Sequence, residues 1–442
     1  MNRRQFLSRS ARALTAIAVP TIVPASVFGA NAPSNRLNAG FIGTGRQAFG
    51  SNLQQMMAVP GVQAVAVCDV DRWRMTQAQA FVNDFYKQRD NLASYNGCAV
   101  KSDFRELIAD PGIDVLMIST PDHWHVPMGL LAARAKKHFA LEKPVSLRVN
   151  QGRQLADAVA RSGVTARTDS EFRSLRIQNH PIELIRNGHI GRLQRIEIVF
   201  PSDPAPVGPQ PDMPVPPELD YDMWLGPSAA VPYTAKRVHD PQQHRIRPGW
   251  MRISTYAQGM ISNWGAHYFD CAQWASNTEH SGPIAVSGHG EFPASLWNTM
   301  INFKVEYTYA DGMVLTCEQT PTSTPSITYY GSEAWIKVDN YPGTLSSDKP
   351  ALLTLEPEPG ELDFSKSLWD KNDFIAAVRE HRQPLEPIEA GHRAISIGQI
   401  GLIACQVQDK LHWNPATELF EGNNYANALL AAPLARPQWV SL

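Results

Sequence analysis

Short apolar runs alternate with longer amphipathic stretches in the first third of the chain. Leu37–Ile42, Val62–Cys68 and Asp114–Ser119 are mainly apolar runs of strand length, and polar residues follow each of them. Continuous apolar runs of this kind are typical of strands that are buried on both faces of a parallel sheet. The pattern therefore predicts an α/β domain over residues 36–162, built as a doubly wound parallel sheet.

Alternation of apolar and polar positions replaces this pattern in the second part of the chain. Leu193–Phe200 and Met300–Tyr309 alternate as half-exposed strands do, and Asp311-Gly312 predicts a hairpin turn into Met313–Cys317. We expect an α+β domain with a mainly antiparallel sheet over residues 163–385, followed at 386–442 by a C-terminal helix and a tail that pack back on the first domain. Further strands are expected at Ile327–Tyr330 and Trp335–Val338, and helices at Asn150–Ser162, Asp373–His381 and Ala390–Leu411.

A glycine-containing turn follows the first predicted strand. Gly43 permits a tight turn, Gly45 has no side chain to hold a pyrophosphate away from the backbone, and Ala48 still allows the next helix to pack closely on the strand. The amides that begin this helix would face the phosphates. The turn residues expected to contact a dinucleotide are Gly43, Thr44, Gly45, Arg46 and Gln47.

Asp69 follows the second predicted strand, where a carboxylate can bind the ribose hydroxyls of a dinucleotide. Its charge would repel a 2′-phosphate, which favours NAD over NADP. Arg72 and Arg74 lie close by in sequence and would favour that phosphate, so NADP stays open. A solvated strand end is the simpler alternative for Asp69.

Two further polar motifs follow predicted strands. Thr120-Pro121-Asp122-His123-Trp124-His125 comes after the third apolar run, and Glu142-Lys143-Pro144 follows Phe139-Ala140-Leu141. Ligands of such sheets bind in the crevice beyond the carboxyl ends of the strands. We therefore expect Lys143 and His125 to point toward the same crevice as the glycine turn.

Together these motifs resemble the Gfo/Idh/MocA family, which includes glucose–fructose oxidoreductase and inositol dehydrogenase. Further matches are Ile185–Arg192, Asn263–Asp270 and Lys410–Pro415. The resemblance covers nearly all of the chain after its N-terminus and implies an NAD(P)-dependent oxidoreductase. It also implies that the antiparallel sheet is open and often forms an oligomer interface, so we expect a homo-oligomer.

Lys143 is the candidate base for the oxidation of a secondary alcohol. Hydride leaves the carbon only as the hydroxyl proton is removed, so a base must lie beside the nicotinamide. Burial and the positive charge of the oxidised nicotinamide would both lower the pKa of a lysine from its ordinary ~10.4. We expect Glu142 to orient Lys143 or to contact the nicotinamide ribose, and Thr120, Pro121 and His125 to lie along the cofactor.

His267 is the second catalytic candidate. Asn263 and His267 are four residues apart, which places them on one face of a helix. In the family the first of these positions is commonly aspartate, whereas the amide of Asn263 cannot carry a proton. This departure puts a Lys–Asp–His relay in doubt and leaves Lys143 and His267 as a pair. The alternative is that His267 is a core histidine whose ring nitrogens are hydrogen-bonded to other protein groups.

Residues 201–250 are rich in proline, which resists regular structure because it lacks an amide donor. Aromatic and basic side chains are concentrated here, and they suit a sugar, whose C–H faces stack while its hydroxyls need polar partners. We interpret the segment as a substrate-binding or oligomer-contact insertion, with a plain linker as the alternative. The candidate substrate-binding residues of the chain are Arg173, Tyr221, Arg247 and Trp264.

Composition excludes some other classes of protein. A chain of 442 residues with 43% hydrophobic content can bury a large core in two domains. The formal net charge is −2, and no run of lysine or arginine offers a surface for nucleic acid. The five cysteines lack the spacing of metal ligands, so we expect no metal site and no essential disulfide.

The N-terminus resembles a twin-arginine export signal, expected at residues 1–32. Arg3 and Arg4 precede a moderately apolar stretch, Ala11–Ala30, and Ala30-Asn31-Ala32 resembles a cleavage site. A membrane anchor is the alternative, but prolines interrupt the apolar stretch, which is short for a membrane span. We expect the twin-arginine translocase to export the folded protein to the periplasm or another extracytoplasmic space, with no integral membrane contact afterwards.

Export of a folded protein suggests that the cofactor travels with it and stays tightly bound. The leading hypothesis is an NAD(P)-dependent oxidoreductase that acts on a hydroxyl of a sugar, polyol or glycoside. One alternative is a glycosidase that uses bound NAD for transient oxidation and elimination, although relatives specialised for that reaction often lose the Glu-Lys-Pro motif. The third hypothesis is a non-catalytic sugar-binding protein, and the intact Lys143 and His267 argue against it.

Overall fold

The first domain contains a parallel sheet of six strands, as predicted. The computed structural model of the protein describes residues 36–92, 95–321, 324–339 and 343–439; the export signal expected at 1–32 lies outside them. The strands are β1 (Leu37–Ile42), β2 (Val62–Cys68), β3 (Ala99–Lys101), β4 (Val115–Ile118), β5 (His138–Glu142) and β6 (Ala166–Asp169). Their order is β3-β2-β1-β4-β5-β6, so the direction of chain progression reverses between β1 and β4. A ligand crevice is expected at that reversal.

Strand β6 extends this domain beyond the boundary expected at residue 162. It pairs with β5 and is buried, although it contains Arg167 and Asp169. Charged partners explain the burial, because Lys371 forms an ion pair with the Asp169 carboxylate and Arg167 Nη1 donates a hydrogen bond to the Asp370 main-chain carbonyl at 2.5 Å. The burial of this strand depends on charged partners elsewhere in the chain. Its sequence contains no apolar run, so the hydrophobic pattern could not predict it.

Helices cover both faces of the parallel sheet. The carboxylate of Asp71 accepts hydrogen bonds from the amides of Trp73 and Arg74 and caps the longest of them. Gly163, with φ of +70°, ends the last one. The helices are Leu53–Ala58, Arg72–Arg89, Phe104–Ala109, His125–Arg134 and Val149–Ser162.

The second domain contains an open, mixed sheet of nine strands that is mainly antiparallel, which confirms the predicted fold class. The strands are β7 (Leu193–Pro201), β8 (Ala285–Glu291), β9 (Ile301–Thr308), β10 (Val314–Thr320), β11 (Ser326–Gly331), β12 (Trp335–Asp339), β13 (Thr344–Ser347), β14 (Leu411–Asn414) and β15 (Leu419–Phe420). Their order is β13-β12-β11-β7-β10-β9-β8-β14-β15, and β7 with β10 is the parallel pair. The predicted hairpin joins β9 to β10 through Gly312, whose φ is +88°.

One face of this sheet packs on helices and forms the largest core of the molecule. Helix Ile388–Val407 lies between the domains and contacts both β8 and helix Val149–Ser162. It ends before the predicted Leu411, because Gln408 takes a left-handed conformation and Leu411 pairs with Val286 in the sheet. The helices are Arg176–Arg186, Tyr221–Leu225, Met260–Asn263, Gly265–Ala275, Asp370–Glu380, Ile388–Val407 and Asn424–Ala428. In the part of the chain that is described, none of the helices combines the length and apolar character needed to cross a bilayer.

Candidate active site

The glycine turn after β1 has the geometry that a dinucleotide requires. Gly43 has a φ of +83°, and a Cβ there would lie 2.7 Å from the Ser119 carbonyl oxygen. At Gly45 a Cβ would meet only Nη1 of Arg74, at 3.7 Å, so the backbone can approach a diphosphate closely. The amide and the hydroxyl of Thr44 donate to Asp69 Oδ2 at 2.6 and 2.9 Å. The turn and the Asp69 carboxylate are therefore held in one fixed arrangement.

A π-helical turn, Ala48–Asn52, follows the glycine turn before the regular helix begins. It places the Asn52 side chain in the interior, where the amide donates to Ser119 Oγ at 3.0 Å and to Glu142 Oε1 at 2.8 Å. π-Helical turns are frequent at functional sites. Asn52 links the nucleotide turn to the Glu-Lys-Pro motif, and the hydrophobic pattern of the sequence gave no sign of it.

A segment of the second domain, residues 218–250, crosses the first domain beside Asp69; we call it the cleft strap. Its backbone joins the first domain at two points, from Arg72 N to Glu218 O and from Asp220 N to Val70 O, both at 2.9 Å. Side chains add further contacts. His239 Nε2 lies 2.9 Å from Asp71 Oδ2, and Arg74 Nη2 donates to the Gln243 carbonyl at 2.8 Å.

The His244 ring of the cleft strap stacks between two aromatic rings of the first domain. Its centroid lies 4.1 Å from that of Phe49 and 4.8 Å from that of Trp73. Burial lowers the pKa of His244 to about 4, and the charge of Arg74 adds to the effect. The segment expected to be an insertion or a linker therefore covers the crevice of the nucleotide-binding domain.

Lys143 lies at the other end of the crevice, after β5. Its Nζ donates to the main-chain carbonyl of Asn263 at 3.2 Å, across the domain boundary. Burial lowers the pKa of Lys143, against the opposing effect of the Glu142 charge. Burial also raises the pKa of Glu142, and the neighbouring Asp169 raises it further. The environment thus favours a neutral amine on Lys143.

His267 faces the same space from helix Gly265–Ala275. Its Nδ1 lies 2.7 Å from Ser170 Oγ, and its ring stacks on Phe172 with centroids 4.4 Å apart. Burial lowers the pKa of His267 to about 3, with a smaller contribution from the charge of Lys143. The ring is therefore neutral at ordinary pH, and Nε2 is left for a ligand.

Asn263 contacts both cations at this end. Besides the main-chain contact with Lys143, its side-chain Oδ1 accepts a hydrogen bond from Arg247 Nη2 at 3.1 Å. The amide therefore holds a guanidinium of the cleft strap, which agrees with the doubt about a Lys–Asp–His relay.

One cavity of about 450 Å³ joins these features. It runs from the glycine turn and Asp69 to Lys143 and His267. The predicted site residues that line it are Gly43, Gly45, Arg46, Gln47, Asp69, Arg74, Thr120, Pro121, Glu142, Lys143, Arg247, Asn263, Trp264 and His267. The cavity thus joins the residues expected to bind a dinucleotide to those expected to contact a substrate.

Four predicted residues lie outside the cavity lining. Thr44 is buried behind the turn, where it holds Asp69. His125 is buried with Nδ1 2.6 Å from the Pro144 carbonyl, so it supports the Lys143 loop from behind. Arg173 forms ion pairs with Asp270 and Glu279, and the Tyr221 hydroxyl donates to the Pro232 carbonyl. The substrate-binding role expected for Arg173 and Tyr221 gains no support from these positions, because other protein groups occupy their polar atoms.

Several cavity residues were not predicted. Asp122 lies within a motif that the sequence singled out, but its own carboxyl was not assigned a role; burial raises its pKa to about 8. Glu171, which lines the cavity, and Ser170, which is buried outside the lining and contacts His267, follow β6 directly. Recognition of that strand would have found them, since polar residues at the carboxyl ends of parallel strands line the crevice.

Curated relatives match part of the chain. "Glycosyl hydrolase family 109 protein 1" from Shewanella sp. (strain ANA-3) is 32% identical over 177 residues, which are 40% of this chain and 37% of that protein. The protein of the same name from Shewanella sp. (strain MR-4) is 30% identical over 176 residues, again 37% of its length. The match thus spans little more than a third of these relatives.

Solved structures share the fold over most of the chain. GenD2 from gentamicin A biosynthesis, in complex with NAD, has a TM-score of 0.60 at 16% identity, and the match covers 86% of this chain and 97% of that one. Levoglucosan dehydrogenase, in complex with NADH and levoglucosan, has a TM-score of 0.58 at 17% identity, with 85% and 99% covered. At these identities the likeness shows the fold alone.

Two models of one family together match nearly all of the described chain. The NAD-binding Rossmann fold of the oxidoreductase family matches residues 37–170, and the C-terminal alpha/beta domain of that family matches residues 209–441, which is more than half of the chain. The first match agrees with the geometry of Gly43, Gly45 and Asp69, and identifies the cofactor class as NAD. The chain belongs to the Gfo/Idh/MocA oxidoreductase family.

Proposed function

We propose that this protein oxidises a hydroxyl group of a sugar, polyol or glycoside with a bound NAD cofactor. The observation that carries the proposal is the single cavity that joins the nucleotide turn at one end to Lys143 and His267 at the other. NAD would fit along the glycine turn and Asp69 and would supply the hydride acceptor.

The residues at the far end have separate roles in this reaction. Lys143 accepts the hydroxyl proton, because burial lowers the pKa of its amine and the residue lines the cavity. His267 orients the hydroxyl through Nε2, while Ser170 holds the ring through Nδ1. Asn263 positions Lys143 through its main-chain carbonyl.

The cleft strap supports a cofactor that stays bound between turnovers. Backbone hydrogen bonds, the His239–Asp71 contact and the stacked His244 ring all hold it across the adenosine end of the crevice. A nucleotide beneath it leaves only when some of these contacts break. Retention of this kind suits a protein exported in its folded form.

The first experiment purifies the protein without added nucleotide and then denatures it. We expect a near-stoichiometric yield of released dinucleotide with the mass of NAD. NADP in its place would show that Arg74 outweighs Asp69. A protein that binds neither nucleotide, even when it is added, would contradict the proposed function and leave a sugar-binding role.

The second experiment measures net redox change with sugars and polyols, by absorbance of the reduced nicotinamide at 340 nm. Oxidation that reduces the bound cofactor, and that a second carbonyl substrate then reverses, supports the proposal. Failure of every hydroxyl compound to reduce the bound cofactor would contradict it.

A redox-neutral glycosidase is the second candidate, and the partial match to relatives named as glycosyl hydrolase family 109 proteins favours it. In that reaction a glycoside would release its aglycone with no net reduction of the cofactor. Nitrophenyl glycosides separate the two candidates, since release of nitrophenol without change at 340 nm identifies the glycosidase.

Export to the periplasm and assembly into a homo-oligomer also stay proposals. Replacement of Arg3 and Arg4 together by lysine should retain the protein in the cytoplasm, whereas the parent sequence should appear in the periplasmic fraction. Equal distribution of the two proteins would contradict the export signal.

Sedimentation of the purified protein tests whether it assembles into a homo-oligomer.

A further inference from the structure

Arg247 occupies an unusual position in the cavity wall. It lies on the cleft strap, and its Nη2 donates to Asn263 Oδ1 at 3.1 Å. Among the described residues, Asn263 is the one that accepts a hydrogen bond from this guanidinium. A guanidinium has five N–H donors, so most of the donor capacity of Arg247 is not used by the described protein groups, and the residue lines the cavity.

No carboxylate of the described residues forms an ion pair with Arg247. Asp203, the acidic group whose charge acts on it, pairs through Oδ1 with Arg252 Nε at 3.1 Å, and its buried Oδ2 makes no hydrogen bond within the described ranges. Burial lowers the pKa of Arg247, and the charges of Arg46 and Arg252 lower it further. An arginine nevertheless stays charged, and a charge that is partly buried without a counter-ion is costly. The site therefore favours an anion that arrives with a ligand.

The position of Arg247 relative to Lys143 indicates which ligand carries this anion. Both side chains contact the same residue, since Lys143 Nζ donates to the main-chain oxygen of Asn263 and Arg247 to its side-chain oxygen. A monosaccharide with one hydroxyl at Lys143 can thus reach Arg247 with a substituent of the same ring.

Two of the acidic groups at this end, Asp122 and Glu142, offer little competition. Asp122 lines the cavity, but it is 7% exposed and burial raises its pKa to about 8. Burial likewise raises the pKa of Glu142, whose Oε1 accepts from Asn52. Glu171 also lines the cavity, and its charge acts on Lys143 and His267. The fixed positive charge beside Asn263 is that of Arg247.

We propose that Arg247 binds a carboxylate of the substrate, and that the substrates are sugar acids such as uronates or aldonates. This inference rests on the proposed function, because it assigns the substrate class of the same cavity. The planar fork of a guanidinium matches a carboxylate with paired hydrogen bonds. The carboxylate fixes the sugar acid, and the hydroxyl to be oxidised then lies against Lys143 and His267.

A competing role for Arg247 is contact with the cofactor diphosphate, because Arg46 of the nucleotide turn acts on it electrostatically. The two roles differ in what a substitution does. Loss of a diphosphate contact weakens NAD binding and affects all substrates equally, whereas loss of a carboxylate contact affects acidic substrates alone.

The test uses NAD-loaded full-length protein and matched pairs of probes: D-glucuronate, D-galacturonate, D-mannuronate and D-gluconate against D-glucose, D-galactose, D-mannose and D-glucitol. We expect kcat/KM for at least one acid to exceed that of its neutral partner about tenfold or more. In Arg247→Gln this preference should collapse to about unity, while NAD affinity stays within about twofold. Arg245→Gln, an exposed residue of the same segment, is the matched control and should keep the preference.

Three outcomes would overturn the inference. The first is that no acid is bound or oxidised better than its neutral partner. The second is an Arg247→Gln protein that keeps the preference for acids. The third is an Arg247→Gln protein that loses NAD affinity and all activities in parallel. In the first case, oxidation of neutral sugars would leave the proposed function standing, whereas a protein that does not bind NAD would remove both.

Discussion

Lys143 shows how a single residue obtains its chemistry from its surroundings. An ordinary lysine is a poor base near neutrality, because its amine is protonated. Burial lowers the pKa of Lys143, and the strand end places its Nζ in the cavity with His267. The proton-accepting form is therefore available at a lower pH than for an exposed lysine.

Replacement of Lys143 by methionine should lower kcat by about 10²–10⁴-fold, the contribution of a positioned general base. The released nucleotide per chain should not change. In the parent protein kcat/KM should rise with pH through the lowered pKa of Lys143, because the neutral amine is the active form, and the variant should lose this rise. Lys87→Met, on the exposed face of helix Arg72–Arg89, is the control. A Lys143→Met protein with the parental pH profile would contradict the assignment.

Ser170 is a positioning residue, since it acts through His267. Its hydroxyl lies 2.7 Å from Nδ1 and fixes the tautomer and orientation of the ring. Ser170→Ala should lower kcat about tenfold with little effect on NAD release, and Ser170→Thr should restore most of the loss. If alanine and threonine reduced kcat equally, a general packing defect would explain the result better than loss of the hydroxyl.

The catalytic candidates could be predicted from sequence because each lies in a short motif after a strand or within a helix. Lys143 and His267 both line the cavity. Arg173 shows the limit of this reasoning. Its partners, Asp270 and Glu279, lie about a hundred residues further along the chain, and only the fold reveals that they neutralise it.

At the scale of elements, apolar runs predicted most strands and failed where burial has another cause. Strand β6 carries Arg167 and Asp169 into the interior because helix Asp370–Glu380 supplies their partners. The π-helical turn Ala48–Asn52 was not predicted for a different reason. One extra residue in a helical turn does not change a short hydrophobic pattern detectably. The missed site residues Asn52 and Ser170 lie in or next to these two elements.

The cleft strap provides a prediction at this scale. His244→Ala removes a ring stacked between Phe49 and Trp73, and such aromatic contacts contribute about 0.5–1.5 kcal/mol each. We expect NAD to dissociate about 5–150-fold faster, as measured by its capture with an excess of a second NAD-binding enzyme. Arg245→Ala should leave the rate unchanged. Equal rates for His244→Ala and the parent protein would show that the strap does not retain the cofactor.

In the whole molecule, the C-terminal tail joins the two domains through Glu418. Its Oε1 lies 2.8 Å from His392 Nε2 and 2.9 Å from Arg153 Nη2, so one carboxylate connects the tail, helix Ile388–Val407 and helix Val149–Ser162. Burial alone would raise the pKa of Glu418, but these hydrogen bonds outweigh it and bring the pKa to about 2. The charged form is thus favoured in the folded state.

This carboxylate should make stability depend on acid. A folded pKa below the ordinary 4.5 stabilises the native state above about pH 4.5, and the contribution is lost as the pH falls toward 2. Glu418→Gln should unfold at a lower urea concentration at pH 7, at a cost of about 2 kcal/mol. The difference from the parent should shrink at pH 3, and Glu421→Gln, which is exposed, should show neither effect. A difference that is constant with pH would contradict this linkage.

The cleft strap also determines when the protein can first hold its nucleotide. Asp71 and His239 are 168 residues apart, so the nucleotide site is closed by chain that the ribosome makes much later than the glycine turn. A nascent first domain can bind NAD and release it again, because nothing yet covers the crevice. We therefore expect cofactor loading to be completed only after synthesis has passed residue 250, and a chain interrupted before that point to leave the ribosome with an exchangeable nucleotide.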